Sequence, residues 1–403
     1  MRVLGEVGDG GTSEILVLTT FGFLPFSIVL SAIPPAVVKL QLRSLDTTGA
    51  TVGQLSAWGT AGALFGTFIT GFVLVATAAV TTLIVSVGIA LIVIGFGWWV
   101  VRLVGGQSRD GGVVAAGLVV AALGGLGVAA IDSPCDTQTT YYCVRVVTDA
   151  DEPSVRVLVL DDLSHSAIDV DDPTRLPFWY VRRLADAIDA HHAPEAPLDV
   201  LHIGGAALGL PRHLAADRPG SDQTVVEIDE QLVTVVAAEF GPVDGEVAII
   251  TGDGRQVVGD LGGERFDLVV GDAFGSRSVP FHLTTREFVD EVRSVLRLGG
   301  WYLMNVIDGP GQDFVRAEAR TLADVFVNVT VIRSQPLVEG RSGNAVLVAS
   351  DGEIDDDELA SALALDVDGV GGEVIGGDDL AEYVGDASLL TDDFAPVDQL
   401  IRS

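Results

Sequence analysis

Four stretches without a charged side chain, residues 15–33, 50–75, 76–101 and 111–131, fill most of the first third of the chain. Each is close to the roughly 20 apolar residues that span a bilayer, so the pattern predicts about four transmembrane helices within residues 1–131. Gly59, Gly62, Gly66 and Gly71 recur along the second stretch. That spacing lets helix backbones approach where no hydrophobic effect drives them together. Trp98 and Trp99, near the end of the third stretch, suit an interfacial belt. Glu6, Asp9 and Glu14 precede the first stretch and argue against a removable signal peptide. The stretches hold no charged residue, so the usual mark of an ion or proton pathway is missing.

Beyond residue 131 the pattern becomes one of short β-type runs and amphipathic segments. Runs at 141–147 and 155–160 predict short strands, and a helix is expected over 173–192, opened by Pro173. Strands are then expected at 199–203, 224–227, 246–251, 266–270, 301–306, 327–332 and 345–349. The clearest helices between them are at 230–240, 285–296 and 311–323. Repeated strand, helix, strand argues for a parallel sheet covered on both faces, which takes ligands at the carboxyl ends of its strands. The expected organisation is an α-helical membrane bundle at 1–131, a small β lead-in at 132–172, an α/β Rossmann-like domain at 173–350 and an acidic segment at 351–403.

Charge divides the chain at the same place. The 403 residues carry 23 Lys+Arg and 56 Asp+Glu, a net charge of −33. Residues 1–131 are neutral, so the remainder carries the whole excess. A surface this negative repels phosphate, which excludes nucleic acid as a partner. Lys39 is the only lysine, and an acidic domain with Arg as its sole strong base is the balance expected in concentrated salt, where self-repulsion is screened. A halophilic source is the expectation.

Candidate chemistry collects at the expected strand ends. The first strand runs into Gly204, Gly205, Ala206, Ala207, Leu208 and Gly209, small residues that let a ligand approach the backbone before a helix. Glu227 ends the second strand, near the spacing at which an acid meets ribose hydroxyls in dinucleotide folds. Asp253, followed by Gly254, ends the third, and Asp272 the fourth. Three successive strands ending in acids is a stronger signal than any one acid in an acidic protein. No metal site is expected: Cys135 and Cys143 are not a Cys-x-x-Cys pair, and His165, His191, His192, His202, His213 and His282 have no ligand spacing, so structural roles are expected for them. The loop at 279–283 reads as ordinary packing, with a lid as the alternative. The cysteines could close a small loop in an oxidising compartment.

The run 199–306 resembles the class I methyltransferase-type domain of the polyamine aminopropyltransferases (spermidine and spermine synthases), and in particular their membrane-fused, spermidine-synthase-like type. The resemblance implies an aminopropyl transfer from decarboxylated S-adenosylmethionine to an amine, leaving methylthioadenosine. It implies no permanently bound cofactor, and a sheet closed by an antiparallel strand at 345–349. By the same resemblance Glu227 corresponds to the acid on the ribose hydroxyls and Asp253 to the one on the adenine amino group, with Gly204, Gly205 and Gly254 beside the nucleoside. Asp272 corresponds to the acid that orients and deprotonates the amine, and Tyr180 to the tyrosine of the substrate cleft. Ala207 and Gly275 stand where the family has further acids, and Tyr142 where it has a glutamine. A diamine needs carboxylate partners for both ammonium groups, so putrescine fits poorly unless Asp161, Asp162, Asp169, Asp171, Asp392 or Asp393 substitutes.

Two other readings are carried. A methyltransferase using S-adenosylmethionine itself would need a partner for the methionine carboxylate, with Arg212 or amides near Gly205 as candidates. A non-catalytic nucleoside or polyamine sensor would explain the missing acids. The expected location is the cell membrane, multi-pass and in contact with lipid, and self-association is left open. Lys39, Arg43, Arg102 and Arg109 in the first and third loops place the acidic domain outside by the positive-inside rule, whereas an intracellular nucleoside ligand places it in the cytoplasm. The ligand argument is given the greater weight, and a cytoplasmic domain is expected.

Overall fold

The computed structural model describes residues 16, 19–20, 24–41, 48–104 and 135–401, except 244–245, 264, 276–277 and 365–371. The chain separates into two compact units, Met1–Pro134 and Cys135–Ser403. In the first, helices α1 (Leu24–Ser31), α2 (Ile33–Gln41), α3 (Thr48–Ile69) and α4 (Val80–Val104) follow one another. Two helical runs, Thr48–Leu74 and Val80–Val101, are long and apolar enough to cross a membrane. They match the second and third apolar stretches, so the described residues supply two of the four expected spans. The first stretch is interrupted at Ala32, just before Pro34 and Pro35, whose rings lack amide hydrogens. The fourth, 111–131, lies outside the described residues, as do Arg43 and Arg109.

Lys39 sits in the last turn of α2, not in a loop. After Ile69 the helix widens into a π-helical turn, Thr70–Leu74, containing Gly71. Beyond the local helix backbone, none of the described atoms lies within 4 Å of the place a Cβ would take on Gly59, Gly62, Gly66 or Gly71.

The second unit opens with an antiparallel sheet in the order β1 (Thr137–Gln138), β2 (Cys143–Thr148), β3 (Val155–Leu160) and β4 (Leu163–Asp169). Strand β4, absent from the expected elements, pairs with the expected β3 in a hairpin that turns at Asp161, where φ is +58°. Helix α5 (Trp179–His191) begins six residues later than expected, after Pro177. It leads into β5 (Asp199–Gly204), α6 (Gly209–Asp217), β6 (Asp222–Glu227), α7 (Glu230–Phe240), β7 (Glu246–Thr251), α8 (Gly254–Leu261) and β8 (Phe266–Asp272). Then come α9 (Arg286–Val295), β9 (Leu296–Asp308), α10 (Asp313–Val325), β10 (Asn328–Ser334) and β11 (Gly343–Ser350).

These strands form one eight-stranded sheet in the order β12-β10-β11-β9-β8-β5-β6-β7, with β12 at Gly372–Ile375. Pairing is parallel from β7 through β9 and antiparallel among β9, β11, β10 and β12. The fold is thus a methyltransferase-like α/β Rossmann sheet. The antiparallel strand expected to close it, β11, lies between β9 and β10 and not at the edge. The edge is β12, from the segment that the sequence sets apart as acidic. That segment also packs Leu359, Leu363 and Leu390 into the core.

Helices sit where their apolar faces find the sheet. Helix α9 buries Phe288, Val289, Val292 and Val295, one stripe of a 3.6-residue period, and its Thr285 side chain caps the Phe288 amide. Helix α5 buries Val181, Leu184, Ala185 and Ile188 against the other face. A third core joins the small sheet to α7 through Val144, Leu158, Val225 and Leu232. At β5 the strand order reverses: its neighbour on one side is β6, next in sequence, and on the other β8. Such a reversal opens a crevice at the strand carboxyl ends, where open α/β sheets bind ligands.

Candidate active site

A cavity of about 490 Å³ occupies that crevice, and the ends of β5, β6, β7 and β8 all reach it. Gly204 is register partner to Asp272 across β5 and β8, and Glu227 to Thr251 across β6 and β7. The loop after β5 is built of left-handed residues: Gly204, Ala206 and Leu208 have φ of +81°, +45° and +62°. A Cβ on Gly204 would meet the Cα of Ala273 at 2.8 Å, so only glycine fits this approach of two chains. Positive φ at Ala206 and Leu208 is strained for residues with a Cβ, and such strain concentrates at ligand sites. Ala207 is fully buried among Leu208, Val225 and Leu232 and does not line the cavity.

On the β6–β7 side, Glu227 accepts the Asp229 amide at 3.0 Å, while Asp229 itself caps α7 through the Gln231 and Leu232 amides. Burial penalises the charge of Glu227 and lifts it to about 7. Asp253 caps α8 through Oδ1, which accepts the Gln256 amide at 3.1 Å, and its Oδ2 meets His282 Nε2 at 2.9 Å. A Cβ on Gly254 would meet Ile203 Cγ2 at 2.7 Å, which explains a glycine at the first position of α8.

On the β8 side the carboxylate of Asp272 accepts Tyr180 Oη at 3.1 Å and Asn305 Nδ2 at 2.8 Å. Asn344 Nδ2 in turn donates to Asn305 Oδ1 at 3.0 Å. Burial raises Asp272 to about 6, with the two donors holding it from rising further. Burial and the neighbouring Asp272 carboxylate push the Tyr180 hydroxyl well up, so it stays protonated as a donor. Tyr142 Oη donates to the Phe274 carbonyl at 2.8 Å and closes the wall. The result is a half-buried carboxylate near neutrality, aimed into a cavity and oriented by two neutral groups. Such a group can hold an ammonium and take a proton from nitrogen.

Every expected site residue, Gly204, Gly205, Glu227, Asp253, Gly254, Asp272 and Tyr180, lines this one cavity. The substitutes proposed for the missing acids do not. Asp169 pairs with Arg175 at 3.0 Å, Asp392 with Arg255 at 2.6 Å, and Asp161 accepts the Cys143 amide at 3.0 Å in the β3–β4 turn. Asp162, Asp171 and Asp393 are exposed and off the lining. Arg212 is also elsewhere: its guanidinium donates to the carbonyls of Ala207, Gly241 and Pro242, not to the cavity.

Sequence reasoning missed Asn305 and Asn344. The signal for Asn305 was a lone amide inside the apolar run 301–306. It also assigned structural roles to all histidines, whereas His165 and His282 line the cavity. Two other histidines do serve the fold: the buried His202 bonds Gln223 at 2.9 Å, and the exposed His191 stacks on Trp301 with ring centroids 4.1 Å apart. The loop at 279–283 buries Val279 and Leu283 as packing while Pro280 and His282 reach the cavity. Among the described residues no three His, Cys, Asp or Glu side chains cluster as metal ligands. Cys135 and Cys143 form a disulfide across the short hairpin that carries Tyr141 and Tyr142.

No family model matches the chain. It is 28% identical over 240 residues to a polyamine aminopropyltransferase of Vibrio vulnificus, covering 56% of this chain and 76% of that one. It is 28% identical over 207 residues to a probable polyamine aminopropyl transferase of Bifidobacterium longum, covering 47% and 46%. The crystal structure of a probable spermidine synthase from Corynebacterium glutamicum superposes with a TM-score of 0.59 at 26% identity, covering 65% of this chain and 97% of that one. By these likenesses the chain is similar to proteins named polyamine aminopropyltransferase and to a probable spermidine synthase.

Proposed function

We propose that the protein is a membrane-anchored, spermidine-synthase-like transferase that moves an aminopropyl group from decarboxylated S-adenosylmethionine to an amine, releasing methylthioadenosine. The observation that carries this reading is the convergence of Glu227, Asp253 and Asp272, from three strands, on one cavity at the sheet's reversal point. Glu227 holds the ribose hydroxyls, Asp253 with His282 faces the adenine edge, and Gly204, Gly205 and Gly254 let the nucleoside lie against backbone. Asp272 orients the attacking amine with help from Tyr180 and Asn305. The amine nitrogen attacks the methylene carbon next to the sulfonium, the carbon–sulfur bond breaks with its electron pair going to sulfur, and Asp272 takes the nitrogen's proton. A sulfonium leaves without activation, so positioning and proton removal suffice.

The apolar runs Thr48–Leu74 and Val80–Val101 support the anchor, in a bundle that the sequence extends to four spans, and the −33 charge supports a protein suited to concentrated salt. The methyltransferase alternative needs a partner for the methionine carboxylate; no Arg or Lys is found among the described lining residues, which leaves it only the amides near Gly205. The test is calorimetric binding to the full-length protein in detergent and high salt. Decarboxylated S-adenosylmethionine and methylthioadenosine should bind more tightly than S-adenosylmethionine. Preference for S-adenosylmethionine would move the reading to methyl transfer. Absence of binding by all three would remove both enzyme readings and leave a scaffold or sensor.

A further inference from the structure

Resting on that transferase reading, the cavity wall also speaks to the acceptor. Around Asp272 the wall is aromatic: the ring of His165 lies 6.4 Å from those of Tyr142 and Phe274, and Phe178 lies 6.2 Å from Tyr180. Its remaining polar groups are neutral: the amides of Asn305 and Asn344, bonded to each other, and the hydroxyls of Ser164 and Ser342. Asp272 is the only carboxylate on this side among the described residues. Glu227 is on β6, two strands away from β8 and so about 10 Å distant at the usual strand spacing. Asp253 lies one strand further, with both oxygens engaged by the Gln256 amide and His282. The acids of the surrounding turns are bonded elsewhere or exposed.

The donor already brings an ammonium on its aminopropyl arm, so one carboxylate serves the whole reacting end. An acceptor with a second ammonium would have to strip it of water with no anion to meet it. Attraction to aromatic faces offsets only part of that cost. We infer that the acceptor carries one basic nitrogen, the one that reacts, and that the rest of it is uncharged and apolar or aromatic: the site is built for a primary monoamine, not a diamine.

Methylthioadenosine formation by the full-length protein, measured with n-butylamine, 2-phenylethylamine and 1,4-diaminobutane as acceptors, tests this. The monoamines should have kcat/KM at least about tenfold above the diamine. A diamine used equally well or better would overturn the inference while leaving the transferase reading intact. Methylthioadenosine formed from decarboxylated S-adenosylmethionine with none of the three would overturn both. Gly275→Asp supplies the converse. Gly275 lines the cavity, its backbone needs no positive φ, and among the described residues a Cβ there meets nothing nearer than the Ser278 carbonyl at 3.9 Å. The added carboxylate should raise diamine kcat/KM about tenfold and change that of the monoamines less than about threefold. An unchanged ratio in this variant, with its thermal melt like that of the parent, would also overturn the inference.

Discussion

The two sides of the cavity are made in different ways. The side with Glu227 and Asp253 comes from consecutive strand ends, and its acids also bond backbone amides of their own turns, Asp229 and Gln256. The side with Asp272 gathers residues 142, 165, 180, 272, 305 and 344 from separate elements, and its acid is held only by side chains. An acid that serves its own turn is placed wherever the turn forms. An acid oriented by distant side chains depends on the whole sheet being assembled. The first side should therefore behave as a binding surface that tolerates change, and the second as the reacting centre that does not.

The largest effect expected is at Asp272. Asp272→Asn keeps the shape but removes the proton acceptor, and the rate of methylthioadenosine formation should fall by about 10²–10⁴-fold. Affinity for methylthioadenosine should stay within about threefold. An unchanged rate would take Asp272 out of the mechanism. Glu227→Ala should act in the opposite way, weakening methylthioadenosine binding by about 10–100-fold, as expected for lost hydrogen bonds to a charged group. The KM for the amine should hardly move, and calorimetry beside steady-state kinetics separates the two.

Titration sharpens the same contrast. Asp272, raised to about 6, must be ionised to take a proton, so kcat/KM should fall about tenfold per pH unit below that value. If Glu227, raised to about 7, holds the ribose as a carboxylate as proposed, methylthioadenosine affinity should weaken as pH falls through 7. Coincident pH profiles for rate and binding would dissolve the distinction between the two sides.

The smallest effect is a control outside the cavity. Glu318 on α10 is fully buried with neither oxygen hydrogen-bonded, and burial lifts it well above the usual carboxylate range. A carboxyl whose folded value exceeds its unfolded one stabilises fully below the unfolded value and loses that contribution as pH rises through the folded one. Glu318→Leu should therefore stabilise the domain by about 1–3 kcal/mol near neutral pH and flatten the pH dependence of its melting temperature, with unaltered kinetics. A loss of activity would show that raised carboxylates outside the cavity also take part in function.

Much of this protein was legible in the order of its residues because the signals are local. Apolar stretches, the alternation of strands and helices from β5 to β11, and three acids at strand ends follow from short-range periodicity, and β3, α7 and β7 run as expected. Helix α6 was legible only as the helix expected after the glycine loop, and α8 was not legible, since it is short and begins in glycine. Strand β12 was missed because it is a four-residue edge whose pairing with β10 is what makes it a strand.

The sequence by itself determined the charge divide, the Rossmann sheet and the acids of the cavity. Tertiary structure decided the rest. The insertion of β11 between β9 and β10 depends on pairing energies that no local pattern records. That Ala207 packs in a core, and that Asp169 and Asp392 are spent on Arg175 and Arg255, depends on which side chains meet across more than one element. The aromatic wall around Asp272 exists only because sheet assembly brings residues far apart in the chain to one side of the cavity.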